Sequence, residues 1–225
     1  MQVSGYIKSK IFFQVYPKIN LTLVYTHQCR REGGILILVI KSLILKKLLD
    51  PVKMEYYELI KSRESVRNYD PERPLPKAII EKILDAGRLA PSACNIQPWK
   101  FVVISSPGML EKVRAAYKRD WFKDAPHVLI VIGSKMEAWK RSYDGYNSIE
   151  TDLAIAMTHI ILAAENEGIG TCWIEAYNPA ILREALGVSE NQVIFGITPL
   201  GYQKPGYRKS GQKMRKSLDE IVEYL

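Results

Sequence analysis

The segment Asn147–Glu167 restricts what this chain can fold into more than any other. Leu153, Ala154, Ile155, Ala156, Met157, Ile160, Ile161, Leu162, Ala163 and Ala164 make a predicted helix apolar nearly all the way round. Such a helix offers water no face, so it must be buried on every side, at the centre of a domain or against a second copy of the chain. His159 lies inside it, with no acid or nucleophile paired to it in sequence, and reads as a hydrogen-bonded structural histidine.

Around this helix the pattern alternates. Tyr57, Ile60 and Lys61 begin a short helix that ends near Arg63–Glu64–Ser65–Val66–Arg67. Pro76 opens another, in which Ile79, Ile80, Ile83, Leu84 and Leu89 recur at helical spacing as far as Ala90. Short apolar strands are predicted over 101–104, 127–132, 171–174 and 193–200, the last interrupted by Gly196, with further helices over 107–118, 180–186 and 218–224. Helices alternating with strands argue for one α/β-type domain.

Between the Pro76 helix and the first of these strands lies Pro91–Ser92–Ala93–Cys94–Asn95–Ile96–Gln97–Pro98–Trp99–Lys100–Phe101. Prolines at 91 and 98 fix two backbone angles and remove two donors, so the stretch is a rigid ordered loop. Ser92, Asn95 and Gln97 can donate and accept, which suits the edge of a planar polar ring and equally suits a self-satisfied connector. Cys94 has no base supplied by any residue pattern, so packing or lining is its simpler role.

The net charge of +8 raises the question of a nucleic-acid partner. Its location answers it: residues 1–53 carry 9 Lys/Arg against 2 Asp/Glu, leaving 23 against 22 from Met54 onward. A nearly neutral body is not a nucleic-acid surface. The apolar run 35–49 is broken by Lys41, Lys46 and Lys47 and is too short to span a bilayer, which needs about 20 apolar residues. No small-residue cleavage site follows it. Two readings of residues 1–53 stay open: a membrane-surface helix, and an upstream in-frame extension with no part in the fold, Met54 being the natural start. Cys29, Cys94 and Cys172 form no CxxC pair and no zinc spacing, which implies a reduced, cytoplasmic setting and no metal.

Two basic pairs remain. Arg63 and Arg67 flank Ser65, and guanidinium forks with a hydroxyl suit a phosphate. Arg208 and Lys209 make a second pair after the Gly201–Tyr202 turn. Either could be solvated surface, but no P-loop or GxGxxG fingerprint competes for the phosphate role. If both face one site, the ligand is an anion on a larger organic body, which a mononucleotide fits.

These stretches, with Gly168–Ile169–Gly170–Thr171–Cys172–Trp173–Ile174–Glu175–Ala176 and Pro199–Leu200–Gly201–Tyr202, resemble in order the successive motifs of the nitroreductase family. The resemblance runs from about Met54 to the C-terminus. It implies an α+β fold, with a central mixed β-sheet flanked by helices and a long buried helix at a dimer interface. It implies a homodimer with FMN at the subunit interface, NADH or NADPH as electron donor and a small-molecule acceptor, nitroaromatic, quinone or similar, reduced by ping-pong kinetics. By carry-over Arg63, Glu64, Ser65, Arg208 and Lys209 surround the phosphate, and Arg67 lies near the N1/O2 side of the flavin. Pro91, Ser92, Ala93 and Asn95 reach the flavin from the partner subunit, while Ile174, Glu175 and Ala176 lie beside its N5 edge. No side chain is called on as a catalytic nucleophile or base. Dehalogenation, dehydrogenation, flavin-ring cleavage and a non-enzymatic FMN carrier are the alternatives on the same scaffold. The segment Lys118–Asp124 does not align with the extra flavin contacts of larger members, and little of the chain is left for a lid, so an open site with broad acceptor tolerance is expected. Mass spectrometry of the native protein is expected to find no peptide from before Met54.

Overall fold

The computed structural model describes residues 10–14, 20–24 and 55–225. The chain divides into two compact units, Met1–Val52 and Lys53–Leu225. Within the first, β1 (Lys10–Gln14) pairs antiparallel with β2 (Asn20–Val24), Phe12 opposite Thr22. The run 35–49, for which a membrane-surface helix is one reading, lies outside the described residues.

The second unit begins with α1 (Tyr56–Ser62) and α2 (Lys77–Arg88). After them come β3 (Trp99–Ile104), α3 (Pro107–Arg114), the single turn α4 (Asp120–Lys123) and β4 (His127–Ser134). Next are α5 (Ile149–Asn166), β5 (Gly170–Thr171), α6 (Pro179–Leu186) and β6 (Gln192–Gly201). Only a single 3-10 turn, Leu218–Glu220, forms where a last helix is expected.

The sheet order is β3-β4-β6-β5 and every strand pairing in it is antiparallel. This corrects the α/β-type reading. Helices between strands look the same in sequence whether the chain crosses over to a parallel neighbour or returns beside an antiparallel one, and here it returns. The architecture is α+β, and its mixed character rests on one isolated parallel bridge, Ser65 to Thr171. β4 is central and buried from His127 through Gly133, which its nearly unbroken apolar sequence requires. At β6 the register slips: Val131 faces Gly196 but Ile132 faces Ile194, so the strand bulges past Phe195 instead of breaking at Gly196.

α5 packs across this sheet and against α2. Gly133 and Gly87 permit the close approach: a Cβ on Gly133 would stand 2.5 Å from Ile149 Cδ1, and one on Gly87 2.6 Å from Ile160 Cγ1. Ile149, Leu153, Ala156, Met157, Ile160, Ile161 and Ala164 are buried, but Ala154, Ile155, His159 and Leu162 are only half-buried and Thr151 and Thr158 are exposed. The helix is therefore not covered on every side by its own chain; a single apolar stripe stays open along it. His159 lies on that stripe and makes no side-chain hydrogen bond among the described residues, contrary to the expectation for it. No helix among the described residues is long and apolar enough to cross a membrane.

The buried, hydrogen-bonded histidine is His127, 6% exposed. Its Nε2 accepts the Leu75 N–H at 2.9 Å, so the proton of the neutral ring sits on Nδ1, which lies 2.7 Å from Ser105 Oγ. Burial lowers its pKa below the ordinary 6.5. A depressed folded-state pKa means stability is complete above the unfolded value and is lost as pH falls towards the folded one. Urea unfolding between about pH 8 and pH 5 is expected to show that loss below about 6.5, at most about 1.4 kcal/mol per pH unit, with a shallower slope in His127→Gln.

Candidate active site

The site starts where α1 stops. The N–H of Arg63 bonds to Leu59 O at 3.0 Å as the helix ends, and the chain then runs extended, with Val66 N–H on Thr171 O at 2.8 Å. That pairing lays Arg63, Ser65 and Arg67 beside the buried Cys172. Burial pushes the Cys172 thiol up, while Arg67, the Ser65 hydroxyl and Arg63 pull it the other way.

The distant basic segment joins them through Glu64. Its carboxylate accepts the Tyr207 hydroxyl at 2.6 Å and both the N–H and hydroxyl of Ser210 at 3.2 Å. Burial first, then the Glu64 hydrogen bond, push Tyr207 up to about 12. The two basic pairs therefore do face one region, as the mononucleotide reading requires. Glu64 acts there as a brace: its acceptor oxygens are taken up by residues 207 and 210.

The second pair divides its work. Lys209 donates to Ser62 O at 3.2 Å and forms an ion pair with Glu165, a carboxylate on α5 that is 5% exposed and also accepts the Ser62 hydroxyl at 2.6 Å. Lys213 donates to Ile60 O at 3.0 Å; burial lowers its pKa first, and the charges of Arg63 and Arg215 add to this. By contrast Arg63, Arg67 and Arg208 make no salt bridge and no side-chain hydrogen bond among the described residues. Arg63 and Arg208, on segments that Glu64 ties together, are with Ser65 a donor set that fits a phosphate, while the Arg67 guanidinium lies over an aromatic ring instead. Lys209, expected to help with the phosphate, is paired with Glu165.

Ile174 exchanges both backbone hydrogen bonds with Ile197 at 3.0 Å and buries its side chain, which leaves it to position the exposed Glu175 and Ala176 that follow. Glu175 accepts Trp173 Nε1 at 2.8 Å. The N–H groups of Glu175 and Ala176 donate to no acceptor among the described residues.

The Pro91 loop is more strained than its composition suggests. Cys94, Asn95 and Gln97 stand at φ 53, 55 and 56, a left-handed region that costs a non-glycine residue about 1 kcal/mol or more. Asn95 tolerates it best. The Ser92 hydroxyl accepts Gln97 N–H at 2.9 Å, and Asn95 accepts Gln97 Nε2 at 3.2 Å, so part of the polar set is turned inward to close the loop. Its anchor is Asp152, buried on α5, whose carboxylate accepts Ala93 N–H at 2.9 Å and the Ser148 hydroxyl at 2.8 Å. Pro91, Cys94 and Asn95 are exposed, and Ser92 and Ala93 are half-buried.

The sequence reading missed Asp152, Glu165 and Lys213. The first two did leave a signal: they are acids placed on the buried face of an otherwise apolar helix, where an unpaired charge is untenable. Among the described residues no cluster of His, Cys, Asp and Glu could hold a metal ion.

The profile of the nitroreductase family matches residues 60–118 and 108–202. This chain belongs to the nitroreductase family. An Archaeoglobus fulgidus protein, provisionally named NADH dehydrogenase/NAD(P)H nitroreductase, is 37% identical over 154 residues, covering 67% of this chain and 86% of that one. A nitroreductase family protein of known structure from Clostridium difficile 630 is 34% identical with a TM-score of 0.70, covering 76% and 98% of the two chains. Iodotyrosine deiodinase 1 of Rattus norvegicus is 28% identical over 199 residues, covering 75% of this chain and 68% of its own. A nitroreductase from Exiguobacterium sibiricum, provisionally so named and solved in complex with FMN, shares the fold at a TM-score of 0.66 and 22% identity, covering 76% and 98%. Membership of the nitroreductase family makes the chain an oxidoreductase. Glu165→Ala is expected to destabilise it by about 2 kcal/mol, below the fully buried range because Lys209 keeps 34% of its side chain exposed, and Glu165→Ala/Lys209→Met is expected to recover part of that loss in urea unfolding.

Proposed function

We propose that residues 54–225 form an FMN-dependent NAD(P)H oxidoreductase that reduces nitroaromatic, quinone or similar acceptors as a cytoplasmic homodimer, and that residues 1–53 take no part in the fold. Bound FMN supplies two-electron transfer between a nicotinamide and an organic acceptor in alternating half-reactions. The chain's own residues bind, orient and enclose. Arg63, Ser65 and Arg208 hold the phosphate, with Glu64 and Lys209 bracing the segments that carry them. Arg67 contributes positive charge beside the ring, which favours its anionic reduced form. Glu175 and Ala176 offer free backbone N–H donors to the ring edge.

One observation carries the dimeric reading. Asp152 anchors the Pro91 loop near one end of α5 and Glu165 anchors the arginine cradle near the other. At about 1.5 Å per residue these anchors are about 20 Å apart along the helix. With the two halves set at opposite ends of α5, a second copy packed on the open stripe of that helix would bring its Pro91 loop towards this chain's arginine cradle. Cys94, exposed, and Cys172, buried, form no disulfide among the described residues, and a cytoplasmic setting is compatible with this.

Reductive dehalogenation is the alternative favoured by the iodotyrosine deiodinase relative. Purified protein is expected to be yellow and to bleach with NADH or NADPH. Bleaching followed by turnover of halotyrosine but not of nitroaromatic or quinone would select the alternative; flavin that neither nucleotide reduces would make the protein a carrier. Arg63→Ala/Arg208→Ala is expected to weaken FMN by several kcal/mol, about 1.5 to 3 for each charge-assisted hydrogen bond removed, measured by fluorescence titration.

A further inference from the structure

Arg67 is an exposed arginine of the cradle, and its guanidinium lies over an aromatic face, the guanidinium carbon 5.9 Å from the centre of the Trp121 ring. Trp121 lies in the segment that family motifs leave unassigned. Its own ring is braced. It stacks on Tyr69 at 6.3 Å and 30° and meets Tyr117 and Phe122 edge-on at 5.8 and 6.0 Å. Tyr69 is fully buried, and its hydroxyl donates at 2.7 Å to the carbonyl of Val66, the residue before Arg67. The platform under the guanidinium is thus fastened to the extended segment that carries it.

We infer that Trp121 is a positioning residue, its ring holding the Arg67 guanidinium in place beside the flavin and so setting the reduction potential of the bound cofactor. This rests on the FMN reading above. An arginine with no carboxylate partner otherwise samples many rotamers. An aromatic face within about 6 Å enriches the stacked arrangement roughly twofold to fivefold at an exposed site. Since the interaction of a charge with the reduced ring falls with distance, a guanidinium held in place favours reduction more than a wandering one.

The experiment compares holoprotein of R67Q, W121L, W121F and R67Q/W121L with wild type, reading the midpoint potential of bound FMN against a reference dye and FMN affinity by fluorescence. R67Q lowers the potential. W121L lowers it in the same direction by less and weakens FMN roughly twofold to fivefold. W121F, which keeps an aromatic face, stays at the wild-type potential, and the double variant goes no lower than R67Q. If W121L does not fold, W121M, flexible and without an aromatic face, serves in its place. A wild-type potential in W121L beside a lowered one in R67Q overturns the role of Trp121, as does a double variant shifted by the sum of the singles. An unshifted potential in R67Q, with FMN still tightly bound, removes Arg67 from the ring and takes the inference with it. Wild-type protein that binds no FMN fails the cofactor reading itself.

Discussion

Two carboxylates buried on one apolar helix hold the functional parts of this molecule in place. Asp152 and Glu165 are 2% and 5% exposed, and polar oxygens so buried need hydrogen-bond partners. Asp152 finds Ser148 and the Ala93 N–H; Glu165 finds Ser62 and Lys209. Ala93 and Lys209 belong to the Pro91 loop and to the basic segment after Tyr202, whereas Ser148 and Ser62 stand at the ends of helices α5 and α1. The desolvation cost of the acids is offset only when loop and strap are docked, so the core helix and the outlying segments are ordered together.

The docked segments differ in what they store. In the Pro91 loop the left-handed backbone at Cys94, Asn95 and Gln97 is retained by hydrogen bonds to Ser92 and Asp152. That strain is local and conformational. Around Lys213 the tension is electrostatic: burial first, then the like charges of Arg63 and Arg215, lower its pKa, and the carboxylate of Glu165 is already paired with Lys209. Both kinds of tension occur in the candidate site, and the sheet beneath, with β4 buried along nearly its whole length, is stiff enough to sustain them.

What the sequence disclosed follows from the range of the interactions involved. Prolines 91 and 98 act through their own backbone, so the rigid loop between helix and strand could be read locally. Strand direction could not, because a helix between two strands is compatible with either sense. Nor could the partners: Glu165 lies 44 residues from Lys209 and Asp152 lies 59 from Ala93. Lys209 shows the consequence. Beside Arg208 in sequence it looks like half of a phosphate clamp, and only the fold reveals a buried acid that claims it. His159, expected to be hydrogen-bonded, is not, and the buried hydrogen-bonded histidine is His127, since burial depends on which elements meet.

A helix that carries an anchor near each end is also a ruler. Every residue added to or removed from α5 between Asp152 and Glu165 would turn one anchor about 100° around the axis relative to the other and slide it about 1.5 Å. One of the two acids would then swing out of the core and release its segment. Loops elsewhere in this protein can lengthen or shorten through evolution at little cost, but the interval between these two acids is a length that drift by insertion and deletion cannot explore.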